Sequence, residues 1–284
     1  MYSIPEYLQA RASLMLDSGR SLIELERQTT DTLMDLLFNC ATQIKNDFDQ
    51  TSELNQFWEK YAPVQRGHMP RGEAFPWGEV GEKVIEGYLY SRIASYFSDV
   101  RFVGAPYGHD IRFTTNNSFI HIDAKSTGPT DNTNEVVSSP NQVTGNGLID
   151  GSGLVYNDFV DMTGPRVTQQ FRPELSPFYI INGRVLPTLT YYIKIVYNVV
   201  SLGKQPLHYL ELICVPNGLV LFDGPNLNAQ IQGLLTPGKD EGHVVRKRTR
   251  IKLDPLARYQ NWRCQKIFFD VNCAPVLQYR QPVY

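Results

Sequence analysis

The spacing of hydrophobic and polar positions changes once along the chain, near residue 100. Before that point, leucine and isoleucine recur at three- and four-residue steps through residues 1–62, and a similar apolar pattern runs over residues 77–98. This spacing places apolar side chains on one side of an α-helix, so two helical stretches are predicted. Residues 63–76 between them hold three prolines and two glycines, which predicts a loop.

Beyond residue 100 the chain has the pattern of β-strands. Short runs rich in valine, isoleucine, phenylalanine and tyrosine are separated by glycine, proline and asparagine. The predicted strands are 100–103, 110–114, 119–125, 188–197, 209–215, 218–222, 244–253 and 267–271. Residues 138–153 are rich in serine, asparagine and glycine, which predicts a long loop of a kind that is uncommon without a function.

Composition narrows the class of protein. The 284 residues are 42% apolar and 20% charged, enough to bury a full core in one large domain or two small ones. No apolar run approaches the roughly 18 to 20 residues that span a bilayer, and no signal peptide is recognisable, so a cytoplasmic protein without membrane contact is expected. The four dispersed cysteines and five histidines lack zinc-ligand spacing. The formal charge of −2 means that a polyanionic partner would need a local basic patch.

Residues 110–125 predict a β-hairpin that carries charged side chains on one face. The asparagines at 116–117 tolerate positive φ, which suits a two-residue turn between strands of alternating pattern. The register that follows from this turn places Asp110 directly opposite Asp123. Opposed side chains have Cβ atoms about 5 Å apart, where like charges destabilise the hairpin unless something neutralises them.

A divalent cation would neutralise this pair. Lys125 lies two residues beyond Asp123 on the same face, so one small surface would carry two carboxylates and an ammonium group. Mg²⁺ fits such a surface because one or two carboxylates, a backbone carbonyl, water and substrate phosphate satisfy it. The alternative is a surface hairpin in which Lys125 merely offsets two aspartates. His121, on the same face, is interpreted as a neighbour of the site and not as a catalytic residue.

A second candidate surface lies at 246–252, where five of the seven residues are cationic. Strand alternation would put Arg246, Arg248, Arg250 and Lys252 on one face. Arginine can donate to both acceptors of guanine in the major groove and also binds phosphate, so the stretch predicts a nucleic-acid contact. The alternative is an edge strand that is kept soluble by its charge.

Longer motifs, in a fixed order, give a more specific indication. They are 66–72 (RGHMPRG), 76–83 (PWGEVGEK), 123–129 (DAKSTGP), 139–147 (SPNQVTGNG), 215–219 (VPNGL), 237–240 (PGKD) and 247–250 (KRTR). The aspartate followed by a strand that ends Asp-Ala-Lys resembles the PD-(D/E)-x-K nuclease superfamily. The longer motifs, over about residues 60–255, resemble the BglI-like restriction endonucleases within it. One departure is His109, which stands where the superfamily motif has proline.

The resemblance implies an α/β fold with a mixed central β-sheet flanked by helices and a helical N-terminal region. A single endonuclease domain over 1–284 is predicted, with a catalytic and DNA-recognition core at 63–255 that the resemblance covers. The helical lead-in at 1–62, predicted from periodicity, and a C-terminal tail at 256–284 show no matching motifs. The implied function is that of a type II restriction endonuclease. A homodimer would use Mg²⁺ to cleave double-stranded DNA at a short, interrupted, G/C-containing palindrome, and a separate cognate methyltransferase would protect the host DNA.

Roles for individual residues follow from the same resemblance. Asp110, Asp123 and the carbonyl of Ala124 would hold the metal, and Lys125 would orient and activate water. Glu82, or Glu79 one turn earlier, would be the supporting helix carboxylate; the alternative is a solvated helical glutamate.

Base reading is assigned in the same way. Lys239, Arg248 and Arg250 would donate to guanine, while Asp131 and Glu241 would accept from cytosine. The glycine-rich residues 138–147 would follow the DNA backbone, or would serve only as a connector.

Three other classes of protein compete with this interpretation. A repair or junction-resolving nuclease would share the catalytic face but would recognise structure instead of sequence. A non-catalytic DNA-binding regulator would use the basic strand but would leave the opposed carboxylates unexplained. A glycosidase also uses paired carboxylates, yet it needs neither the adjacent lysine nor the arginine strand.

Overall fold

Helices form the N-terminal part of the chain, as predicted. In the computed structural model they are α1 (Ile4–Leu14), α2 (Arg20–Gln50) and α3 (Trp77–Tyr96), followed later by the short α4 (Gly218–Phe222) and α5 (Leu253–Tyr259). The structure describes residues 3–50, 77–128, 131–164, 168–198, 200, 206–223, 231, 233–238 and 248–281. The predicted loop at 63–76 lies outside these residues. Within them, no helix is long and apolar enough to cross a membrane.

Strands dominate the rest of the chain. They are β1 (Arg101–Phe102), β2 (Ile111–Thr114), β3 (Phe119–Thr127), β4 (Glu135–Ser138), β5 (Leu148–Ile149), β6 (Val155–Tyr156), β7 (Val160–Thr163), β8 (Thr168–Phe171), β9 (Phe178–Ile181), β10 (Arg184–Tyr197), β11 (Leu207–Val215), β12 (Leu235–Pro237), β13 (Thr249–Lys252), β14 (Cys264–Phe269) and β15 (Pro275–Tyr279). The central sheet has the order β1-β2-β3-β10-β11-β14-β15, with β9 paired to the start of β10. β3 and β10 run parallel and the other neighbours antiparallel, which confirms a mixed sheet.

The β2–β3 hairpin has the predicted register, with Arg112 opposite His121. Its turn differs from the prediction, because neither residue of 116–117 has a positive φ. Instead, the hydroxyl of Thr115 accepts a hydrogen bond from the backbone N–H of Ser118 at 3.1 Å. A side-chain acceptor of this kind stabilises a turn locally, so the register survives without the left-handed residues.

Helix α3 packs closely on β3 because Gly81 has no side chain. A Cβ at Gly81 would lie 2.8 Å from the hydroxyl oxygen of Ser126 and 3.2 Å from Ile195. Glycine therefore lets the first turns of the helix approach the sheet more closely than any other residue would. The next residue, Glu82, is thereby carried to the edge of the central sheet.

The C-terminal part of the chain is not a tail. Residues from 256 onward complete α5 and then form β14 and β15, two strands of the central sheet. In the 3₁₀ turn just before β14, Arg263 forms a fully buried ion pair with Glu26 of α2, with an N–O distance of 2.6 Å. This pair joins the N-terminal helices to the C-terminal strands, so both ends of the chain belong to the structure around the central sheet.

Residues 218–222 form helix α4 and not the predicted strand. The side chain of Asn217 accepts a hydrogen bond from the N–H of Leu219 at 3.0 Å, which caps the helix. Gly218 also lies against the backbone of Gly145, whose carbonyl oxygen would be 2.1 Å from a Cβ at Gly218. The sequence motifs 139–147 and 215–219 therefore pack against each other, and this contact requires glycine at position 218.

A second, three-stranded sheet has the order β12-β13-β4. Strand β13 covers Thr249–Lys252, and residues 244–247 of the longer predicted strand lie outside the described residues. In the glycine-rich stretch 138–147, which is predicted to follow the DNA backbone or to serve only as a connector, residues 142–147 are buried. The stretch contains a 3₁₀ turn, Pro140–Gln142, and acts as packed structure inside the protein.

Candidate active site

One edge of β3 is open beyond Ile122, because the pairing with β2 ends where Ile111 meets Ile122. Asp110, just before β2, fills the first position of this edge with its side chain. Its Oδ2 accepts a hydrogen bond from the backbone N–H of Ala124 at 2.8 Å. The N–H and C=O of one residue in a strand point to the same side, so the Ala124 carbonyl also faces this edge.

Asp123 lies at the same place and is almost completely buried, with 2% of its surface exposed. Its Oδ1 accepts a hydrogen bond from Nε2 of Gln142 at 2.8 Å, and its Oδ2 forms an ion pair with Nζ of Lys125. Burial raises the pKa of Asp123 to about 7, and the charges of Asp110 and Glu82 act in the same direction, while Lys125 opposes them. Asp123 is therefore not an exposed side chain of a surface hairpin.

Glu82 of α3 interacts electrostatically with the two aspartates at this edge. Its pKa is raised by burial first and then by the negative charge of Asp110, while Lys125 lowers it. These electrostatic contacts show that the structure brings Glu82 together with Asp110, Asp123 and Lys125. The side chain of Glu79 lies outside the described part of the structure.

Two imidazole rings lie behind this cluster. His109 and His121 are buried, and their ring centroids are 5.0 Å apart. Within the described part of the chain, none of their ring nitrogens has a hydrogen-bond partner. Burial lowers the pKa of His121 to about 3 and that of His109 well below its usual value. Both rings are therefore neutral, which agrees with the interpretation that His121 is only a neighbour of the site.

The predicted alternation of the basic strand is observed, because Thr249 and Ile251 are buried while Arg250 and Lys252 are partly exposed. The cationic face is nevertheless partly neutralised. Glu135 of β4 forms ion pairs with Arg250, at 3.0 Å, and with Lys252. The sequence pattern did not show this contact, because β4 was not predicted.

The other predicted base-reading residues divide into two groups. Asp131 is exposed near the end of β3, and its carboxylate accepts a hydrogen bond from the N–H of Gly128 at 3.0 Å. Arg248 is partly exposed just before β13. Lys239 and Glu241 lie outside the described residues.

A cleft of about 370 Å³ joins the two candidate surfaces. Its lining includes Lys125 from the open edge of β3, Asp131, and Arg250 from the basic strand. A larger cavity, of about 780 Å³, lies beside the start of α2 and contains none of the predicted site residues. Of these two cavities, the smaller one therefore contains residues of both candidate surfaces, Lys125 and Arg250.

Lys194 of β10 also lines this cleft and was not identified from the sequence. It is 1% exposed, and its Nζ donates hydrogen bonds to the carbonyl oxygens of Thr133, at 2.8 Å, and Glu135, at 3.0 Å. Burial lowers the pKa of Lys194 to about 8. In the sheet it lies beside Lys125, so it links the strand of the carboxylate cluster to the segment that leads into β4. The sequence alone does not indicate that a single lysine within a strand makes such contacts.

A mixed sheet that carries two aspartates and a lysine at the open edge of a strand, with a helix glutamate beside them, is the arrangement expected of a restriction endonuclease. The family model for restriction endonuclease BglI matches residues 2–267, and the chain belongs to that family. The match confirms the family resemblance that the motifs indicate. It also extends beyond residues 60–255 at both ends, and the type II restriction endonuclease class is confirmed with it.

Comparisons with individual proteins agree with this assignment. The type II restriction enzyme BglI of Bacillus subtilis is 34% identical over 258 residues, which cover 82% of this chain and 86% of that enzyme. The crystal structure of BglI bound to its DNA recognition sequence matches with a TM-score of 0.83 and 30% identity, over 93% of this chain and 95% of that chain. Tetrameric SfiI bound to cognate DNA matches with a TM-score of 0.64 and 14% identity, over 94% and 96% of the two chains, which shows a shared fold.

Proposed function

We propose that this type II restriction endonuclease uses Mg²⁺ to hydrolyse phosphodiester bonds of duplex DNA at a short, interrupted, G/C-containing palindrome. The observation that carries the proposal is the cluster of Asp110, Asp123 and Lys125 at the open edge of β3, with which Glu82 interacts electrostatically. The neighbouring carboxylates are costly to hold in a partly buried site unless cations compensate them, and Lys125 supplies a single positive charge. Lys125 also lines a cleft that extends to the arginine strand.

The donor atoms at this edge fit a hard divalent cation. Among the described residues, no three histidine, cysteine, aspartate or glutamate side chains are grouped closely enough to hold a metal by themselves. The proposed ligands are therefore the carboxylates of Asp110 and Asp123 and the carbonyl of Ala124, with water and phosphate completing the shell as Mg²⁺ prefers. The ion would stabilise the charge that develops on phosphorus and would make bound water more acidic.

The side chains around the metal would have separate tasks. Lys125 lies within contact of Asp123, so its ammonium group is placed to orient the attacking water and the scissile phosphate. Glu82 would support the hydrated ion from the helix side. The neutral rings of His109 and His121 would keep the rear of the cluster dry.

We propose that the side of the cleft farther from the proposed metal ligands recognises the DNA sequence. Arg248 and Arg250 would donate to guanine, and Asp131 would accept from cytosine, because these donor and acceptor patterns match base edges in the major groove. Lys239 and Glu241 would complete the set. Arg250 would keep a fixed orientation through its ion pair with Glu135.

Duplex DNA is the proposed partner, because the BglI structure that this chain resembles is bound to its recognition sequence. A homodimer is proposed because two-fold symmetry of the protein would match the symmetry of a palindrome. Unprotected host DNA would also be cleaved, so a separate cognate methyltransferase is proposed to act with this protein in the cytoplasm.

Digestion of a fully sequenced viral DNA with Mg²⁺, followed by sequencing of the fragment ends, tests the proposal. We expect discrete fragments whose ends share one palindrome, and no fragments after chelation of the metal. Intact linear duplex together with cleaved branched DNA would favour a junction nuclease. Binding without any nicking would favour a DNA-binding regulator. Lys125→Met is the matched inactive control, since it removes the ammonium group and keeps an unbranched side chain.

A further inference from the structure

A buried glutamine connects the two segments that carry the aspartates. Gln142, at the end of the 3₁₀ turn, is 7% exposed. Its Nε2 donates to Oδ1 of Asp123 at 2.8 Å and to the carbonyl oxygen of Gly108 at 2.5 Å, and its Oε1 accepts from the N–H of Ser139 at 3.0 Å. The amide therefore uses both of its hydrogens and its oxygen, which makes its orientation well determined.

The backbone of the same turn also contacts the segment that leads to Asp110. Gly108 has a φ of +130°, and a Cβ at this position would lie 2.2 Å from the carbonyl oxygen of Asn141. Only glycine fits so close to the turn. The turn is thus in contact with Gly108 through both its backbone and the side chain of Gln142, which fixes Asp110 relative to Asp123.

The hydrogen bond from Gln142 decides which oxygen of Asp123 is available. Oδ1 already accepts from the amide and Oδ2 is paired with Lys125, so a cation that used both oxygens would compete with the hydrogen bond from Gln142. A carboxylate held in this way can offer one oxygen to a cation. Mg²⁺ takes single oxygens in a regular octahedron, whereas Ca²⁺ is larger and also accepts both oxygens of a carboxylate.

We propose that Gln142 is a positioning residue that restricts Asp123 to one-oxygen coordination and thereby favours Mg²⁺ over Ca²⁺. The inference rests on the proposed function, because it assumes that the aspartate cluster holds the metal. It adds a residue outside the predicted site and gives that residue a defined effect on metal selectivity.

Calorimetric titration of the purified protein with MgCl₂ and, separately, with CaCl₂ tests this role without measuring activity. In Gln142→Met the amide is replaced by an apolar side chain of similar length. We expect the preference for Mg²⁺ over Ca²⁺, measured as the ratio of the two dissociation constants, to fall about tenfold, the usual size of effect for a group that orients a metal ligand. Gln142→Glu keeps the contact to Ser139 but removes the donor, and should shift the ratio in the same direction.

The control is Gln265→Met in β14. Gln265 is 2% exposed and also uses its amide in a buried hydrogen bond, to the carbonyl of Trp262 at 2.9 Å. Its replacement should lower the unfolding temperature and leave the metal ratio unchanged. An unchanged ratio in both Gln142 variants would overturn the inference. Failure of the wild-type protein to bind either ion would instead contradict the metal site of the proposed function.

Discussion

Burial determines how the charged side chains at the open edge of β3 behave. Asp123 would be an ordinary acid in water, but its pKa is raised to about 7 by burial, with Asp110 and Glu82 adding to the effect. The ammonium group of Lys125 offsets part of this cost through its ion pair with Asp123. Lys125 therefore stabilises the carboxylate of Asp123 in the free protein, in addition to the catalytic role proposed for it.

Lys125→Met should reduce DNA cleavage at least about a hundredfold, because positioned proton-transfer groups contribute that much or more. The same variant should bind Mg²⁺ more tightly than the wild type, because it removes a cation that competes for Asp123. Single-turnover cleavage and calorimetry measure the two effects. Lys83→Met is a matched control, since Lys83 lies on the exposed side of α3 and pairs with Glu86 at 2.8 Å. Cleavage by Lys125→Met at the wild-type rate would contradict the assignment.

Ion pairs and hydrogen bonds between elements that are distant in the sequence fix the position of the basic strand. Strand β4 supplies Glu135 to two cations of β13, and Lys194 of β10 holds the backbone at Glu135. The basic strand therefore presents less free positive charge than its sequence suggests. Near the other end of the central sheet, Glu26 of α2 forms an ion pair with Arg263, the residue just before β14.

Glu135→Gln should strengthen binding to random-sequence duplex DNA. The substitution leaves Arg250 and Lys252 without their carboxylate, so more positive charge is available to phosphate. The slope of log affinity against log salt should become steeper by about one unit. Fluorescence anisotropy at several salt concentrations measures both quantities. Glu174→Gln makes the same charge change at an exposed position outside β4 and should have a smaller effect. Equal effects of the two variants would mean that Glu135 does not mask the strand.

Glu26→Ala should destabilise the fold by about 3 to 5 kcal/mol, because it leaves the guanidinium of Arg263 buried without its charge partner. The expected cost is large because both side chains of this pair are fully buried. Glu86→Ala breaks the more exposed pair with Lys83 and should cost at most about 0.5 kcal/mol. Urea unfolding followed by circular dichroism compares the two variants. A loss below about 1 kcal/mol for Glu26→Ala would show that water reaches Arg263.

At the scale of the whole molecule, one hydrophobic cluster extends from α1 through the central sheet to α5 and β14. The open edge of β3, where the metal is proposed to bind, and the basic strand β13 belong to two different sheets that both contribute residues to one cleft. Because both sheets pack on the same core, the distance between the two surfaces is determined by the protein before DNA binds. Pre-organisation of this kind lowers the cost of binding.

Sedimentation equilibrium should give twice the chain mass for the free protein, and twice the chain mass plus one duplex for its complex with DNA. The expectation follows from symmetry, because cutting both strands of a palindrome in one encounter requires two equivalent sites. A supercoiled plasmid with one site should then pass directly to the linear form. A monomer on DNA, with accumulation of nicked circles, would contradict the dimer. A fourfold mass would indicate an assembly like that of tetrameric SfiI.

The sequence by itself determined the helices, the longer strands and the position of the aspartates. These features depend on local periodicity, and a short hairpin leaves few possible registers, so the register of the β2–β3 hairpin followed from residues close together in the chain. The long motifs identified the family for a similar reason, because they can be recognised as consecutive residues.

Tertiary structure alone decided which of these groups are buried and what they contact. The bond from Gln142 to Asp123 joins residues 19 apart, and the ion pair of Arg250 with Glu135 joins residues 115 apart. Strands β4 and β15 were not predicted from the local pattern, and they form by pairing with β13 and β14. The charge environment of the site therefore arises from packing between distant segments, which no local pattern records.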